Sequence, residues 1–336
     1  MGFWIKLAIK LGIAIGLIYY VVTHKVLQDI QGQKELASLF TSPKILIAAI
    51  LTFSVQMVLG AQRLRILLDP QGFSLSYWTA LRLTYLGAFF DTFMITSVGG
   101  DAIKAIYLAR EIQKGQRLEA VSVLVLDRLM GLLGLLALAF VLGVFQIKQL
   151  YVNQETAWMI KYLVIVPGVL LVGTLMLLSS RVYTSGPMQW LLSAVPFGAQ
   201  FTRAYGSLQR FRDRPGVLLK AFGISLIVHC FGCMTGYVLM LGLGGEAALG
   251  PFFVALLIAN FICSFAPAGG IGVGQMVYKP LFENIAMMTH PSGWVLATAT
   301  QAAMLLAKSP GFIAWVISKE HSHKSEKSVA AQSSVL

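Results

Sequence analysis

The stretch Ser97-Val98-Gly99-Gly100-Asp101 breaks an otherwise apolar region that extends from Tyr77 to Arg110. A second break, Pro267-Ala268-Gly269-Gly270-Ile271-Gly272, lies inside another apolar region, Pro251–Thr289. Glycine tolerates backbone conformations with positive φ, and proline removes a backbone hydrogen-bond donor. Each break is therefore a place where a helix is predicted to unwind or reverse, which makes both regions candidate helical hairpins.

The composition of the chain is that of a protein embedded in lipid. Of its 336 residues, 57% are hydrophobic and only 12% are charged, whereas soluble domains carry about 25% charge. Apolar runs of about 20 residues match the thickness of a bilayer core. Backbone in lipid has to satisfy its own hydrogen bonds, so these runs are predicted to be helices. A transmembrane barrel would need alternating polar and apolar residues, which runs such as Leu132–Phe140 lack.

Loop charges predict that both termini are cytoplasmic. The net charge is +12, and the cations lie mostly between apolar runs. The positive-inside rule and attraction to anionic lipid headgroups explain this distribution better than nucleic-acid binding does. The segment Ser180–Lys220 carries six basic residues against Asp213 alone, so it is predicted to be cytoplasmic. Tyr77–Arg110 then begins and ends inside, and Pro251–Thr289 begins and ends outside. Both are therefore predicted to be re-entrant hairpins.

The predicted fold is an all-α polytopic membrane protein with about six full spans and two re-entrant helical hairpins. Span, hairpin and span recur over about residues 45–145 and 217–317 with opposite orientation, which is the pattern of an inverted repeat. The approximate spans are Phe3–Val22, Ile45–Leu67, Leu118–Phe145, Ile160–Ser179, Val217–Leu241 and Trp294–Ile317.

A single transmembrane domain is predicted to cover residues 1–318, followed by a disordered cytoplasmic tail over 319–336. Residues 180–216 form a basic cytoplasmic loop between the two repeats. Part of this loop has apolar residues at helical spacing, so it is either a helix on the inner membrane face or an ordinary loop. The apolar residues are Phe201, Tyr205, Leu208 and Phe211.

Ionisable residues at membrane depth are costly and are therefore candidates for function. If a half-helix begins at Gly99-Gly100, its free N–H groups attract phosphate or carboxylate, and Lys104 could serve as the counter-ion. Alternatively, Asp101 caps the helix and Lys104 is its partner. Both interpretations remain open.

Asp127 and Arg128 lie inside a predicted span and, as neighbours on a helix, cannot face each other. They are predicted to bond to other elements, with Lys104 and Asp101 as candidates. Arg82 and Asp91, in the first arm of the first hairpin, could join the same network, although Arg82 could instead extend to the inner surface.

The second hairpin offers a very flexible tip as a candidate binding element. Its candidate residues are Pro267, Gly269, Gly270, Gly272, Gln275 and Lys279. The alternative is that its glycines serve close helix packing. No catalytic set, metal site or cofactor site is predicted, and Cys230 and Cys233 are interpreted as buried helix cysteines.

Three motifs resemble the lysylphosphatidylglycerol synthase transmembrane (flippase-like) family. They are Ser97–Leu108 around the first Gly-Gly, Leu126-Asp127-Arg128-Leu129, and Phe265–Val273 around the second Gly-Gly. The resemblance covers nearly the whole chain, in order and at sensible spacing. It implies a flippase-like domain that moves a lipid between leaflets, without the aminoacyltransferase domain of the larger members.

The resemblance implies a membrane lipid as partner, in a prokaryotic cytoplasmic (inner) membrane. A homo-oligomer or a lipid-biosynthetic enzyme is a further possible partner, and no nucleic acid is expected. Gly274 and Gln275 stand where members often carry Arg-Glu, so phospholipid, aminoacylated phospholipid, glycolipid and isoprenoid phosphate all remain open. The alternatives are a membrane enzyme of lipid or glycolipid biosynthesis and a non-catalytic partner of that pathway.

Overall fold

The computed structural model describes residues 30–94, 99–147, 154–194, 198–266, 268–288 and 290–316. Regular structure within these ranges is helical throughout, which confirms the all-α prediction. The predicted span Phe3–Val22, the candidate site residue Pro267 and the tail 319–336 lie outside the described residues.

The described helices follow one another along the chain with short connections. They are α1 (Ile30–Thr41), α2 (Pro43–Leu68), α3 (Tyr77–Phe93), α4 (Gly99–Glu111), α5 (Arg117–Phe145), α6 (Gln154–Leu178), α7 (Ser180–Tyr183), α8 (Gly186–Ala194), α9 (Gly198–Leu208), α10 (Pro215–Gly242), α11 (Leu249–Cys263), α12 (Val273–Asn284) and α13 (Gly293–Lys308). Residues 310–316 are also helical.

Three described helices are long and apolar enough to cross a membrane. They are α2 with its 3-10 extension to Gln71, α5 and α10, and they correspond to three of the predicted spans. The apolar part of α6, Ile165–Leu178, is shorter, and α13 ends at Lys308 within the last predicted span. The total number of spans and the orientation of the termini therefore stay predictions.

Both broken regions form pairs of helices. In the first pair, Arg82 Nη2 on α3 lies 2.5 Å from Glu111 Oε1 on α4, at the end away from the break. At the other end, Gly100 packs so closely on α3 that an added Cβ would meet the carbonyl oxygen of Gly87 and lie 2.7 Å from the Cβ of Asp91. The arms are thus antiparallel, and the glycine is needed because any side chain would separate them. Re-entry into the membrane stays a prediction.

The two halves of the chain meet along α2 and α10, which have the most extensive contact between helices in the described chain. Gln56 on α2 donates a hydrogen bond to the hydroxyl of Thr235 on α10 at 3.3 Å. The α5 helix also packs against α10, where Gly134 faces Ser225. Small residues allow this close approach of helix backbones.

The basic segment between the repeats packs against the protein rather than presenting its apolar side to lipid. Tyr205, Leu208 and Phe211 are buried, and α9 contacts α5. Gln71 donates a hydrogen bond to the carbonyl oxygen of Ser207 at 2.7 Å. The segment is therefore helical rather than an ordinary loop, but its apolar face joins the core formed with α2, α4 and α5.

A buried ion cluster ties four helices together at the level of Asp127 on α5. The Asp127 carboxylate lies 2.8 Å from Arg63 Nε on α2 and 3.4 Å from Lys104 Nζ on α4. Arg63 also donates to the hydroxyl of Ser225 on α10 at 2.8 Å. Charge at membrane depth is tolerated only when paired in this way, so the cluster fixes the depth and rotation of all four helices.

We expect Gly134→Ala to destabilise the protein, because the new methyl group would meet the Cβ of Ser225 and lie 3.1 Å from its carbonyl carbon. Overpacking of this kind costs about 1–3 kcal/mol. Thermal unfolding in detergent, followed by tryptophan fluorescence, should show a lower Tm. The matched control is Gly173→Ala, which places its methyl group in open space on α6. Equal Tm values for the two variants would contradict the packing described.

We expect Asp127→Ala to lower the free energy of unfolding by about 3–5 kcal/mol, because it leaves Arg63 and Lys104 buried without their carboxylate. Lys104→Met should cost clearly less, since Asp127 keeps its closer partner, Arg63. Unfolding in detergent by added SDS measures both values. A larger loss for Lys104→Met than for Asp127→Ala would show that Arg63 does not compensate the carboxylate.

Candidate functional site

The two hairpins meet at their broken ends. Gly269, in the turn between α11 and α12, lies against Thr92 near the end of α3: a Cβ added to Gly269 would be 3.2 Å from the Thr92 Cα. The contact brings together the two glycine-containing breaks identified in the sequence, which are separated by about 170 residues.

The tip of the second hairpin favours glycine at three positions because its backbone has positive φ there. Gly269, Gly270 and Gly272 have φ values of 60°, 87° and 86°, which residues with side chains rarely adopt. Gly270 also packs on Cys263, whose Cβ would be 3.0 Å from an added methyl group. The prediction that the chain unwinds at this glycine run agrees with the observed backbone.

Two glutamines hold this unwound tip in place. Gln275 accepts a hydrogen bond from the backbone N–H of Gly272 at 2.8 Å and donates to Gln301 on α13 at 2.7 Å. Gln301 in turn donates to the carbonyl oxygen of Gly270 at 2.9 Å. In this structure, Gln275 therefore supports the tip through uncharged amide contacts.

At the first tip, α4 begins at Gly99, as expected for a returning half-helix. Asp101, in its first turn, forms an ion pair with Arg128 on α5. Lys104 bonds instead to Asp127. Lys104 and Asp101 were the predicted partners of Asp127 and Arg128, and each contacts one of them. The alternative in which Asp101 pairs with Lys104 therefore does not describe this arrangement.

Arg128 connects the two hairpin tips. Its Nη1 contacts Asp101 on the first hairpin, and its Nη2 donates to the carbonyl oxygen of Ser264, where α11 ends, at 3.3 Å. The side chains of Arg128 and Asp101 are 30% and 37% exposed, whereas those of Lys104 and Asp127 are 9% and 8% exposed. The Arg128 pair can therefore be reached by a ligand, and Lys104 is enclosed.

Lys308, at the end of α13, contacts the first hairpin. Its ammonium group donates to the hydroxyl of Thr92 at 3.3 Å and interacts electrostatically with Asp91. Arg128 on α5 thus contacts the end of α11, in the second hairpin, and Lys308 on α13 contacts the end of α3, in the first hairpin. Lys308 was not among the candidate residues identified in the sequence.

The remaining candidate residues lie apart from these contacts. Arg82 forms its ion pair with Glu111 at the far end of the first hairpin, so the structure does not place it in the network around Asp127. Lys279 is exposed on α12, and Gly293 packs against its backbone. Cys230 is exposed rather than buried, whereas Cys233 is buried as expected.

Arg63 and Ser225 are the residues of the buried cluster that sequence reasoning missed. Arg63 lies near the end of the predicted span Ile45–Leu67 and was not among the predicted site residues, but it reaches Asp127 and Ser225. The available signal was the requirement that Asp127 needs a cation at the same depth. The sequence does not indicate which of several basic residues meets that requirement.

Comparison with protein families matches residues 7–308 to the Lysylphosphatidylglycerol synthase TM region. A search of curated proteins found no match. The family match covers most of the chain and includes both hairpins, the cluster around Asp127 and the Arg128–Asp101 ion pair. It agrees with the apolar helices long enough to cross a bilayer. This multi-pass membrane protein therefore belongs to the family of the lysylphosphatidylglycerol synthase TM region.

Proposed function

We propose that the protein is a transporter that moves a phosphate-containing lipid between membrane leaflets, with the headgroup passing the meeting point of the two hairpin tips. The observation that carries the proposal is the position of Arg128, which contacts Asp101 on one tip and the Ser264 carbonyl on the other. A guanidinium group binds phosphate oxygens in two parallel hydrogen bonds. A headgroup can therefore replace the contacts that hold the tips together.

The charges around the tips favour an anionic group. Seven ionisable side chains lie at the tips or in the cluster around Asp127. In their usual ionised forms they are four cations and three carboxylates, so cations exceed carboxylates by one. The cations are Arg63, Lys104, Arg128 and Lys308, and the carboxylates are Asp91, Asp101 and Asp127. Lys104 is enclosed and paired with Asp127, so it does not contact the headgroup directly. Arg128 is the cation that faces the headgroup.

The pattern of contacts supports an inverted repeat of span, hairpin and span. In such a repeat, α2, α3 and α5 correspond to α10, α11 and α13. The contact of α5 with α11 then corresponds to the contact of α13 with α3. Likewise, the contact of α5 with α10 corresponds to the contact of α13 with α2. In transporters with such repeats, broken helices mark the binding site near the middle of the bilayer. We place the headgroup there, with both hairpins re-entering the membrane from opposite sides.

The lipid class remains open within this proposal. Neutral Gln275 and Gln301 form the polar contacts of the second tip, and neither repels nor demands a cationic aminoacyl group. The phosphate is the feature shared by phospholipid, aminoacylated phospholipid and isoprenoid phosphate substrates. It is the group that Arg128 would bind in each of them, and in a glycolipid that carries one.

We expect Arg128→Gln to slow lipid transfer by about tenfold or more, because a hydrogen bond to a charged group contributes about 1.5–3 kcal/mol. Protein reconstituted into liposomes with NBD-labelled phosphatidylglycerol, and then exposed to dithionite, reports the rate at which inner-leaflet label becomes accessible. Labelled phosphatidylethanolamine, aminoacylated phosphatidylglycerol, a phosphoglycolipid and an isoprenoid phosphate are compared in the same way.

The matched control for this prediction is Arg110→Gln, on the same helix as Asp101. Arg110 is exposed and stacks over Tyr107, with its guanidinium carbon 4.8 Å from the ring centroid, so its loss should leave transfer unchanged. Both variants should keep the wild-type Tm to within a few degrees. Wild-type protein that accelerates none of the lipids, or Arg128→Gln protein as fast as wild type, contradicts the proposal.

We expect a disulfide between the tips to stop transfer. A Cβ at residue 269 would lie 3.8 Å from the Thr92 Cβ, within the range of about 3.5–4.5 Å that a disulfide spans. Thr92→Cys with Gly269→Cys, in a protein whose native cysteines are replaced by alanine, should transfer lipid only after reduction. The single variants control for the substitutions. Undiminished transfer by fully oxidised protein would show that the tips need not separate.

A further inference from the structure

An apolar groove lies away from the hairpins, between α5, α6 and α10. It has a volume of about 800 Å³, which is within the range of about 300–1,000 Å³ for small-molecule sites. A transmembrane helix about 10 Å wide has a volume of roughly 2,000 Å³, so the groove could enclose only part of one. None of its lining residues belongs to either hairpin.

The groove offers almost only hydrocarbon to an occupant. Thr174 is the sole residue with a polar side chain among those that line it, and its hydroxyl donates to the carbonyl oxygen of Leu170 at 2.8 Å. Neighbouring side chains of α6, including Val172 and Met176, are exposed and apolar, as expected where a helix faces lipid. The matching occupant is an acyl chain from the bilayer.

Two Pro-Gly pairs leave space in the walls of the groove. Pro167-Gly168 lies within α6, and Pro215-Gly216 opens α10. A Cβ added to Gly168 or to Gly216 would meet nothing within 4 Å. The missing side chains therefore leave space for at least a methyl group at each position.

One end of the groove is basic. It is bounded by Leu178 and Pro215, and the adjoining chain carries exposed Arg212, Asp213 and Arg214, two cations against one carboxylate. Arg212 Nη1 donates to the hydroxyl of Ser180 at 2.6 Å, which holds the segment after Leu178 against the segment before Pro215. The charge at this end is complementary to a phosphate, while the groove behind it is complementary to the chain of the same lipid.

We propose that the groove is a lipid-binding site for one anionic phospholipid, with an acyl chain between α5, α6 and α10 and its phosphate at Arg212 and Arg214. This site goes beyond the proposed transport path, because it shares no residue with the hairpin tips. Its occupant stabilises the contact of α6 with the rest of the protein.

Native mass spectrometry of detergent-purified protein tests the site by titration with phosphatidylglycerol and with phosphatidylcholine of the same chains. Wild type should bind phosphatidylglycerol at least about tenfold more tightly, and Arg212→Gln with Arg214→Gln should remove that preference. Arg203→Gln, at an exposed position of the same basic segment, should retain it. Equal affinity of wild type for the two lipids overturns the proposal.

Filling the groove tests the acyl-chain part separately. Gly168→Phe should weaken binding of phosphatidylglycerol by about tenfold, whereas Gly173→Phe, also in open space on α6 but outside the groove, should not. Arg128→Gln should leave this binding intact, because the hairpin tips are a different site. Unchanged binding in Gly168→Phe protein, or loss of binding in Arg128→Gln protein, overturns the assignment to this groove.

Discussion

Asp127 imposes the constraint on which the arrangement of helices depends. A carboxylate at membrane depth is costly unless cations and hydrogen-bond donors surround it. Arg63 and Lys104 supply the cations from two other helices, and Ser225 on a fourth binds Arg63. Apolar packing in lipid is weakly directional, because side chains on neighbouring helices resemble the lipid that they replace. The ion cluster supplies the specificity that such packing lacks.

The hairpin tips are built on the opposite principle. Their contact is made by glycine backbone and by an ion pair that is partly exposed, between Arg128 and Asp101. An ion pair exposed to solvent contributes far less than a buried one costs to break. Under the proposed function, the tip at Gly269 would separate from α3 while the cluster around Asp127 stays intact, so that the tips would move and the cluster would hold the frame.

Several features of this arrangement follow from the sequence alone. The length of the apolar runs predicted α2, α5 and α10, and the glycine breaks predicted both helical pairs. The need to pair a charge within lipid also predicted that Asp127 and Arg128 bond to other helices. Arg63 was missed, because a basic residue near the end of a span serves equally well as a topology marker and as a buried partner.

The sequence by itself determined which segments are helical, where two of them break and which residues carry charge into the apolar regions. These are local properties, set by side-chain hydrophobicity and by the backbone freedom of glycine. Only the tertiary structure decided that Lys104 is enclosed while Arg128 remains accessible between the tips. Pairing of charges across more than a hundred residues depends on the rotation and depth of whole helices. Packing at positions such as Gly100 and Gly134 fixes that geometry.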